Sequence, residues 1–552
     1  MNSLYSKITS HCFLIASTSG VILALAYDFP RYGWPIIFVG LLPLFALLEK
    51  QPLSKKKVFF IGYLFGTVYI AGTTLWLLQS FPLDWANISS PFLSSVLVII
   101  AWLIIASTLG IFFGLWALVF HKLRTGNNLI DIFLSASLWI LFEYFRTIAF
   151  SLVSVGSEST IGAHFSFGVL GHSLAWSPFL FLASLGGTYL LSFFVVIINA
   201  LLFLFIKNFN SVRIRAQFKN LFSKVSFPIS ILITLLICSF LWQVSLSQKN
   251  SPPSKQSEET ISIALVHTNF TERVSEDLHF EEMKFTVLNQ LLTKIKKSGQ
   301  SPDMLIFPED ARFLISLAPE SRYPLFSDAL GDGEKTIIDS AHAINHGKII
   351  PTAYFYNTKT DTLTTSEKQI LIPNGEYLPW IAMVPLQIAG LRDTIQSFLE
   401  TRGFEKGNPA TSAQHSTLRI NTLLCSEIFS SSLLQEEPFN KSDIIINLSS
   451  HAIFHGSALL ENQTLALAKI RAVEIGQPVI VAGNMTPSLA IDSRGAIVAL
   501  NDSAAPSVSY ISLPLSGEIT FSQKYSNWVL MFSIFFIFLQ ILFRSLTTTE
   551  NI

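Results

Sequence analysis

Eight apolar stretches limit what this chain can fold into. Seven crowd its first half, at about 12–27, 34–48, 58–80, 92–120, 129–149, 179–206 and 227–246, and the eighth stands near the end, at about 526–543. A helix needs roughly 20 consecutive apolar residues to cross a bilayer. The first two stretches are short by that measure, and several others are ample. Half of the 552 residues are hydrophobic, 13% are charged, and the mean hydropathy is +0.49. Such a composition belongs to a membrane protein. The 37 basic residues balance the 37 acidic ones, so no nucleic-acid footprint is implied. Glu143 and Arg146, one turn apart in the fifth stretch, put ionisable groups at membrane depth or at its rim. An interfacial ion pair or a functional contact is expected there.

The loops set the orientation. Lys50, Lys55, Lys56 and Lys57 follow the second stretch, and Lys122 and Arg124 the fourth. Lys207, Arg213, Arg215, Lys219 and Lys224 follow the sixth, while the alternate loops hold almost no Lys or Arg. The positive-inside rule then makes the amino terminus cytoplasmic, puts residues 249–520 outside the cytoplasm, and returns the chain to Arg544 inside. Ala24-Leu25-Ala26 has the form of a signal-peptidase site. Cleavage there would remove the first span and leave the other orientations unchanged.

Four regions follow. Residues 1–248 form a seven-span membrane domain, and 249–258 a polar, Pro-containing linker. Residues 259–520 form a folded extracytoplasmic domain, and 521–552 the last span with a short tail. Within the third region, strand patterns fall at Ile261–Val266, Met304–Phe307, Lys348–Tyr356, Lys368–Ile372, Ser416–Cys425, Asp443–Leu448, Pro478–Ala482 and Ser488–Ile491. Helix patterns fall at Phe280–Lys297, Gly333–Ile344 and Leu459–Ile475. Strands interleaved with helices predict α/β layers around a mixed sheet.

Of the three cysteines, Cys12 and Cys238 lie in apolar runs, and Cys425 alone is in the polar region. A lone Cys is by default an inert core residue. Cys425, however, stands where a strand gives way to a turn, which fixes a thiol and leaves it accessible. Ile306-Phe-Pro-Glu309-Asp310 is a second strand ending, with a carboxylate. Glu367-Lys368-Gln-Ile-Leu-Ile-Pro-Asn-Gly-Glu376-Tyr377 is the third chemistry-bearing stretch, at the loops where sites are built. His451 and His455 have no carboxylate at ligand spacing, and no metal is expected.

Pro-Glu after a strand, Lys before Ile-Pro-x-Gly-Glu-Tyr, and Cys-x-Glu, in that order, resemble the three signatures of the nitrilase (carbon–nitrogen hydrolase) superfamily. Over its full length the chain resembles the apolipoprotein N-acyltransferase family, whose nitrilase domain sits between the seventh and eighth spans. Gly62-Tyr-Leu-Phe-Gly66, Ala71-Gly72-Thr73 with Trp76, Phe404-Glu-Lys-Gly407, Arg471-Ala472-Val-Glu474 and Asn484 match further. The resemblance implies a multi-pass α-helical membrane protein of about eight spans with an inserted α/β nitrilase-like αββα sandwich domain. It implies Cys425 as nucleophile, Glu309 as general base, Lys368 as oxyanion stabiliser, and Glu376 and Glu427 as supporting carboxylates. Asn484 and Tyr377 are candidate substrate contacts. It implies a phospholipid acyl donor, a diacylglyceryl-apolipoprotein acceptor, no cofactor, no metal and a monomer. The location implied is a bacterial inner membrane, with the catalytic domain periplasmic and both termini cytoplasmic.

The chain departs from that pattern in places. Ser426 stands where an aromatic is usual, and no Trp follows the first domain strand. Ser449-Ser-His-Ala-Ile-Phe454 replaces an Asn-Asp-x-Trp-Phe loop, and Phe165-Ser166-Phe167-Gly168 replaces a Phe-Pro-Trp run. These positions bear on substrate approach more than on the triad. Two other readings stand beside the acyltransferase: a membrane-tethered amidase of the same superfamily, and a transporter or binding protein with a degenerate domain. Intact Glu309, Lys368 and Cys425 speak against the last.

Overall fold

The computed structural model describes residues 2–49, 53–211, 260–271, 278–345, 347–515 and 519–549. The expected seventh stretch at 227–246 and the linker 249–258 lie outside the described residues. Among those described, five helices are long and apolar enough to cross a membrane: His11–Asp28, Pro91–Leu123, Asn128–Val153, Leu182–Lys207 and Trp528–Leu546. The second expected span is broken into the short pieces Ile36–Phe38 and Leu42–Glu49. The third is a 19-residue helix, Lys55–Thr73.

Glycines decide how these helices meet. A Cβ on Gly62 would lie 2.5 Å from Phe113 O, and one on Gly110 would lie 2.9 Å from Thr67 N. Helices Lys55–Thr73 and Pro91–Leu123 therefore touch backbone to backbone, as small residues permit in lipid. After Asn128–Val153 the chain is irregular up to Leu182, with a buried turn at Leu170–Leu174. Buried irregular backbone must find partners, and Glu143 and Arg146 supply them. Glu143 Oε1 accepts from Leu170 N at 2.9 Å, and Arg146 donates to Gly168 O at 2.8 Å. The two residues are 4% and 1% exposed, and their charged groups are 3.9 Å apart. They are internal caps of a non-helical segment.

The second half is two six-stranded sheets packed face to face. The first sets β1 (Thr260–His267), β2 (Met304–Ile306), β3 (Thr336–Asn345), β4 (Lys348–Asn357) and β5 (Thr362–Glu367) side by side. The last strand of the domain, Ser507–Pro514, lies antiparallel beyond β1. The second sheet runs through β6 (Ala413–His415), β7 (Leu418–Leu424), β8 (Ile444–Ser450), β9 (Val479–Asn484), β10 (Ser488–Ile491) and β11 (Ile497–Asn501). Ile263, Leu265, Ile306 and Ile338 of one sheet meet Ile420, Leu424, Ile446 and Ile480 of the other. Central β1, β2, β7, β8 and β9 include parallel neighbours. They are apolar on both faces because helices cover the outer ones.

Helix Leu278–Ser298 covers the first sheet with Leu288, Leu291, Leu292 and Ile295, the i, i+3, i+4, i+7 stripe of an amphipathic helix. Each such side chain contributes roughly 1.5–3 kcal/mol on burial. Helix Ala458–Ile475 covers the second sheet and is itself covered by the membrane helices, so it is buried almost all round. The layers are thus α, β, β, α.

Two expected elements are corrected. Gly333–Ile344 is not a helix, since Thr336–Asn345 pairs along its length with β4. Cross-strand packing overrode the helical reading of its Ala-His-Ala run. Lys368–Ile372 is not a strand, because β5 ends at Glu367. The backbone of Gln369 and Ile370 is taken up by a carboxylate instead of a ladder.

Candidate active site

The strand-end residues converge between the sheets' ends. β7 delivers Cys425 at φ +51°, a left-handed backbone that costs a non-Gly residue about 1–3 kcal/mol and persists only where its surroundings hold it. Asn447 of the neighbouring strand, its amide nitrogen turned toward the turn, donates to Leu423 O at 3.2 Å and Cys425 O at 3.3 Å. Cys425 Sγ lies 3.6 Å from Ser450 O. Glu309 follows β2, and the next residue is locked. Asp310 N donates to Ser340 Oγ, Lys284 Nζ donates to Asp310 O, and Arg312 holds the Asp310 carboxylate at 2.7 and 2.8 Å. Burial opposes the Asp310 charge, but His342 and Arg312 outweigh it and bring its pKa down to about 2.

Lys368 is wholly buried, with Nζ 2.6 Å from Glu376 Oε1 and 3.9 Å from Glu309 Oε1. A buried cation is tolerable only when paired in this way. Burial works against its charge, yet Glu376, Glu309 and Cys425 together raise its pKa above the ordinary lysine value. Glu309 is coupled electrostatically to Lys368, Glu376 and the Cys425 thiol. Burial pushes its pKa up to about 8, against the pull of Lys368 and with the help of Glu376. Burial, then Glu309, also pushes the Cys425 thiol up. The centre therefore holds a protonated Lys368 beside the Glu309 carboxyl group and the Cys425 thiol.

The supporting residues act through backbone. Glu376 Oε2 accepts from Ile372 N at 2.8 Å, which closes the loop around Lys368. Glu427 accepts from Leu424 N, Gln369 N and Ile370 N, and burial raises its pKa to about 7. Asn484 and Tyr377, the expected substrate contacts, spend their polar atoms inside the protein. Asn484 binds Thr268, Phe270 and Ser450, and the Tyr377 hydroxyl donates to Ser154 O at 2.7 Å. His451 is buried, burial lowers its pKa to about 3, and it faces Thr464. Among the described residues no group of His, Cys, Asp and Glu could hold a metal ion.

The sequence reading missed one wall of the site. The irregular segment after helix Asn128–Val153 reaches it from the membrane domain. Thr160 Oγ1 donates to Gln369 O, Ser166 Oγ donates to Phe429 O at 2.8 Å, and His164 Nδ1 lies 3.1 Å from Ser430 Oγ. More than two hundred residues separate these partners, so no local pattern could announce them.

Comparison with known proteins agrees with this anatomy. Residues 19–201 match the apolipoprotein N-acyltransferase N-terminal domain, and residues 284–520 match the carbon–nitrogen hydrolase domain. An apolipoprotein N-acyltransferase of Geobacter metallireducens is 25% identical over 506 residues, 89% of this chain and 87% of the relative. One of Pseudomonas putida is 24% identical over 528 residues, 94% and 93% of the two chains. Among solved structures, a CN-hydrolase superfamily protein of Xanthomonas campestris aligns with a TM-score of 0.34 at 14% identity, covering 46% of this chain and 91% of that one. With both domain models matched in order and full-length relatives on either side of them, the chain belongs to the apolipoprotein N-acyltransferase family, membrane acyltransferases with a carbon–nitrogen hydrolase domain.

Proposed function

We propose that the protein moves an acyl chain from a phospholipid to the α-amino group of the amino-terminal diacylglyceryl-cysteine of apolipoproteins, through a thioester on Cys425. Glu309 accepts the thiol proton as sulfur attacks the ester carbonyl. The Lys368 ammonium meets the oxyanion that forms. Collapse of the tetrahedral intermediate breaks the ester bond, and Glu309 returns the proton to the leaving lysophospholipid oxygen. The amine then attacks the thioester, loses a proton to Glu309, and leaves as an amide while Cys425 regains its thiol.

The observation that carries this reading is the convergence of Cys425, Glu309 and Lys368 under a wall built by the membrane domain. A second feature favours lipid over a soluble amide. Helix Trp380–Ile388 follows the Lys368 loop and buries none of its residues, with Trp380 51% and Ile388 82% exposed. Trp380 N bonds to Val155 O, two residues past the end of a membrane helix. An apolar helix left open at that level suits a lipid environment. The positive loops support a catalytic domain on the periplasmic side of a bacterial inner membrane, with both termini cytoplasmic.

The test is acyl-enzyme trapping. The protein is incubated with a phospholipid labelled on its acyl chain and probed for a hydroxylamine-sensitive label. Wild type should carry the label on Cys425, and Cys425→Ala and Glu309→Ala should not. A folded wild-type protein that takes no label would overturn the proposal.

A further inference from the structure

Cys425 opens a short 3-10 turn, Cys425–Phe429, whose last carbonyls need donors from elsewhere. Arg471 of helix Ala458–Ile475 supplies them. Its Nε donates to Ile428 O at 3.2 Å and its Nη2 to Phe429 O at 3.3 Å. Ser166, from the membrane domain, is a second donor to Phe429 O. The remaining nitrogen of Arg471 meets the Glu474 carboxylate and, at 3.4 Å, Thr188 Oγ1. Arg471 is 1% exposed. Removing a guanidinium from water so completely costs several kcal/mol unless its donors are engaged, and all three of its nitrogens are.

Glu474 leads back to the membrane. It rests on the break in helix Leu182–Ser211, where Gly186 and Gly187 leave helical geometry. Gly187 has φ +62°, and a Cβ there would lie 2.2 Å from Glu474 Oε1. Any side chain at 187 would thus displace the partner of Arg471. Thr188, next to the break, touches Arg471 directly. The contacts run without interruption from the kinked membrane helix through Glu474 and Arg471 to the nucleophile turn.

We propose that Arg471 is a positioning residue that fixes the Cys425 turn to the kink of membrane helix Leu182–Ser211, with Ser166 as the second anchor. This rests on Cys425 being the nucleophile. The strained backbone at Cys425 needs such anchoring, and a displacement of about 1 Å costs a reaction roughly 100-fold.

The experiment uses the full-length protein in vesicles of phosphatidylethanolamine and phosphatidylglycerol with labelled acyl chains. Arg471→Lys keeps the charge and loses the fork. Ser166→Ala removes one anchor, and Gly187→Ala acts from the membrane side alone. Two readouts are taken: the iodoacetamide alkylation rate of Cys425, located by peptide mass, and kcat and KM for acylation. Arg471→Lys and Gly187→Ala should lower alkylation and kcat at least about tenfold with KM within about twofold. Ser166→Ala should lower them about fivefold. A folded Arg471→Lys protein with wild-type alkylation and kcat overturns the inference, as does a change in KM alone. Should Arg471→Lys fail to fold, wild-type rates in Ser166→Ala overturn it equally. An unlabelled Cys425 in wild type would count against the acyltransferase reading, while the alkylation rates still decide the role of Arg471.

Discussion

Glu427 Oε1 accepts the backbone N–H of Gln369, the residue after Lys368, at 2.8 Å. Its other oxygen accepts from Leu424 N, the residue before Cys425, also at 2.8 Å. One carboxylate thereby ties the nucleophile segment to the lysine segment through their main chains. The spacing of thiol and ammonium is set by short backbone bonds, not by the long lysine stem.

Glu427→Ala should therefore disturb more than a surface carboxylate would. It leaves three buried N–H groups without an acceptor, each costing about 1–3 kcal/mol. Glu427→Gln keeps one acceptor oxygen and should lose less. Denaturant unfolding in detergent and acyl-label yield, measured together, should fall in the order wild type, Gln, Ala. An alanine variant as stable as wild type would remove Glu427 from this role.

The pH dependence follows from Glu309. Its pKa is raised to about 8, chiefly by burial, and only the unprotonated form accepts the thiol proton. The first-turnover acylation rate should rise about tenfold per pH unit below that value and level above it. Glu376 also raises the Glu309 pKa. Glu376→Gln should therefore move the rising limb to lower pH, even as it slows the plateau by loosening Lys368. A limb that stays in place, or moves up, would contradict the assignment.

Tyr377 separates docking from chemistry. Its hydroxyl donates to Ser154 O across the two halves of the protein. Tyr377→Phe should cost about 0.5–1.5 kcal/mol of stability by unpairing that carbonyl. KM for phospholipid should stay within about twofold, since the hydroxyl is spent inside the protein. A KM that rises tenfold would make Tyr377 a substrate contact.

Gly62 tests the membrane packing. Its Cβ position lies 2.5 Å from Phe113 O and 2.7 Å from Ala117 Cβ, so Gly62→Ala must push helix Lys55–Thr73 away from Pro91–Leu123. Overpacking of this kind costs about 1–3 kcal/mol. The midpoint of thermal unfolding should drop, and Gly126→Ala, whose Cβ position has nothing within 4 Å, should change it far less despite its left-handed backbone. Equal effects at both sites would mean that backbone strain, not helix contact, dominates.

The sequence by itself determined what periodicity and local chemistry can carry. Long apolar runs have one stable environment, so five of the eight expected spans were legible among the described residues. Alternation of strands and helices fixed the α/β layers. Cys425, Glu309 and Lys368 each sit at an element's end with a recognisable flank, so they could be named one by one. Tertiary structure decided whatever depends on partners far apart in the chain. Thr336–Asn345 became a strand because β4 lay beside it, and the Lys368 segment left the sheet because Glu427 took its N–H groups. Glu143 and Arg146 read as an ion pair or a functional contact, and the buried turn they cap showed only once the chain had folded. Ser166 stood out only as part of a run that departs from the family pattern, and Arg471 only as part of one that matches it. They meet at Phe429 O only after 263 residues of sequence on one side and 42 on the other have folded back, and hydrogen bonds over such separations leave no trace in local pattern.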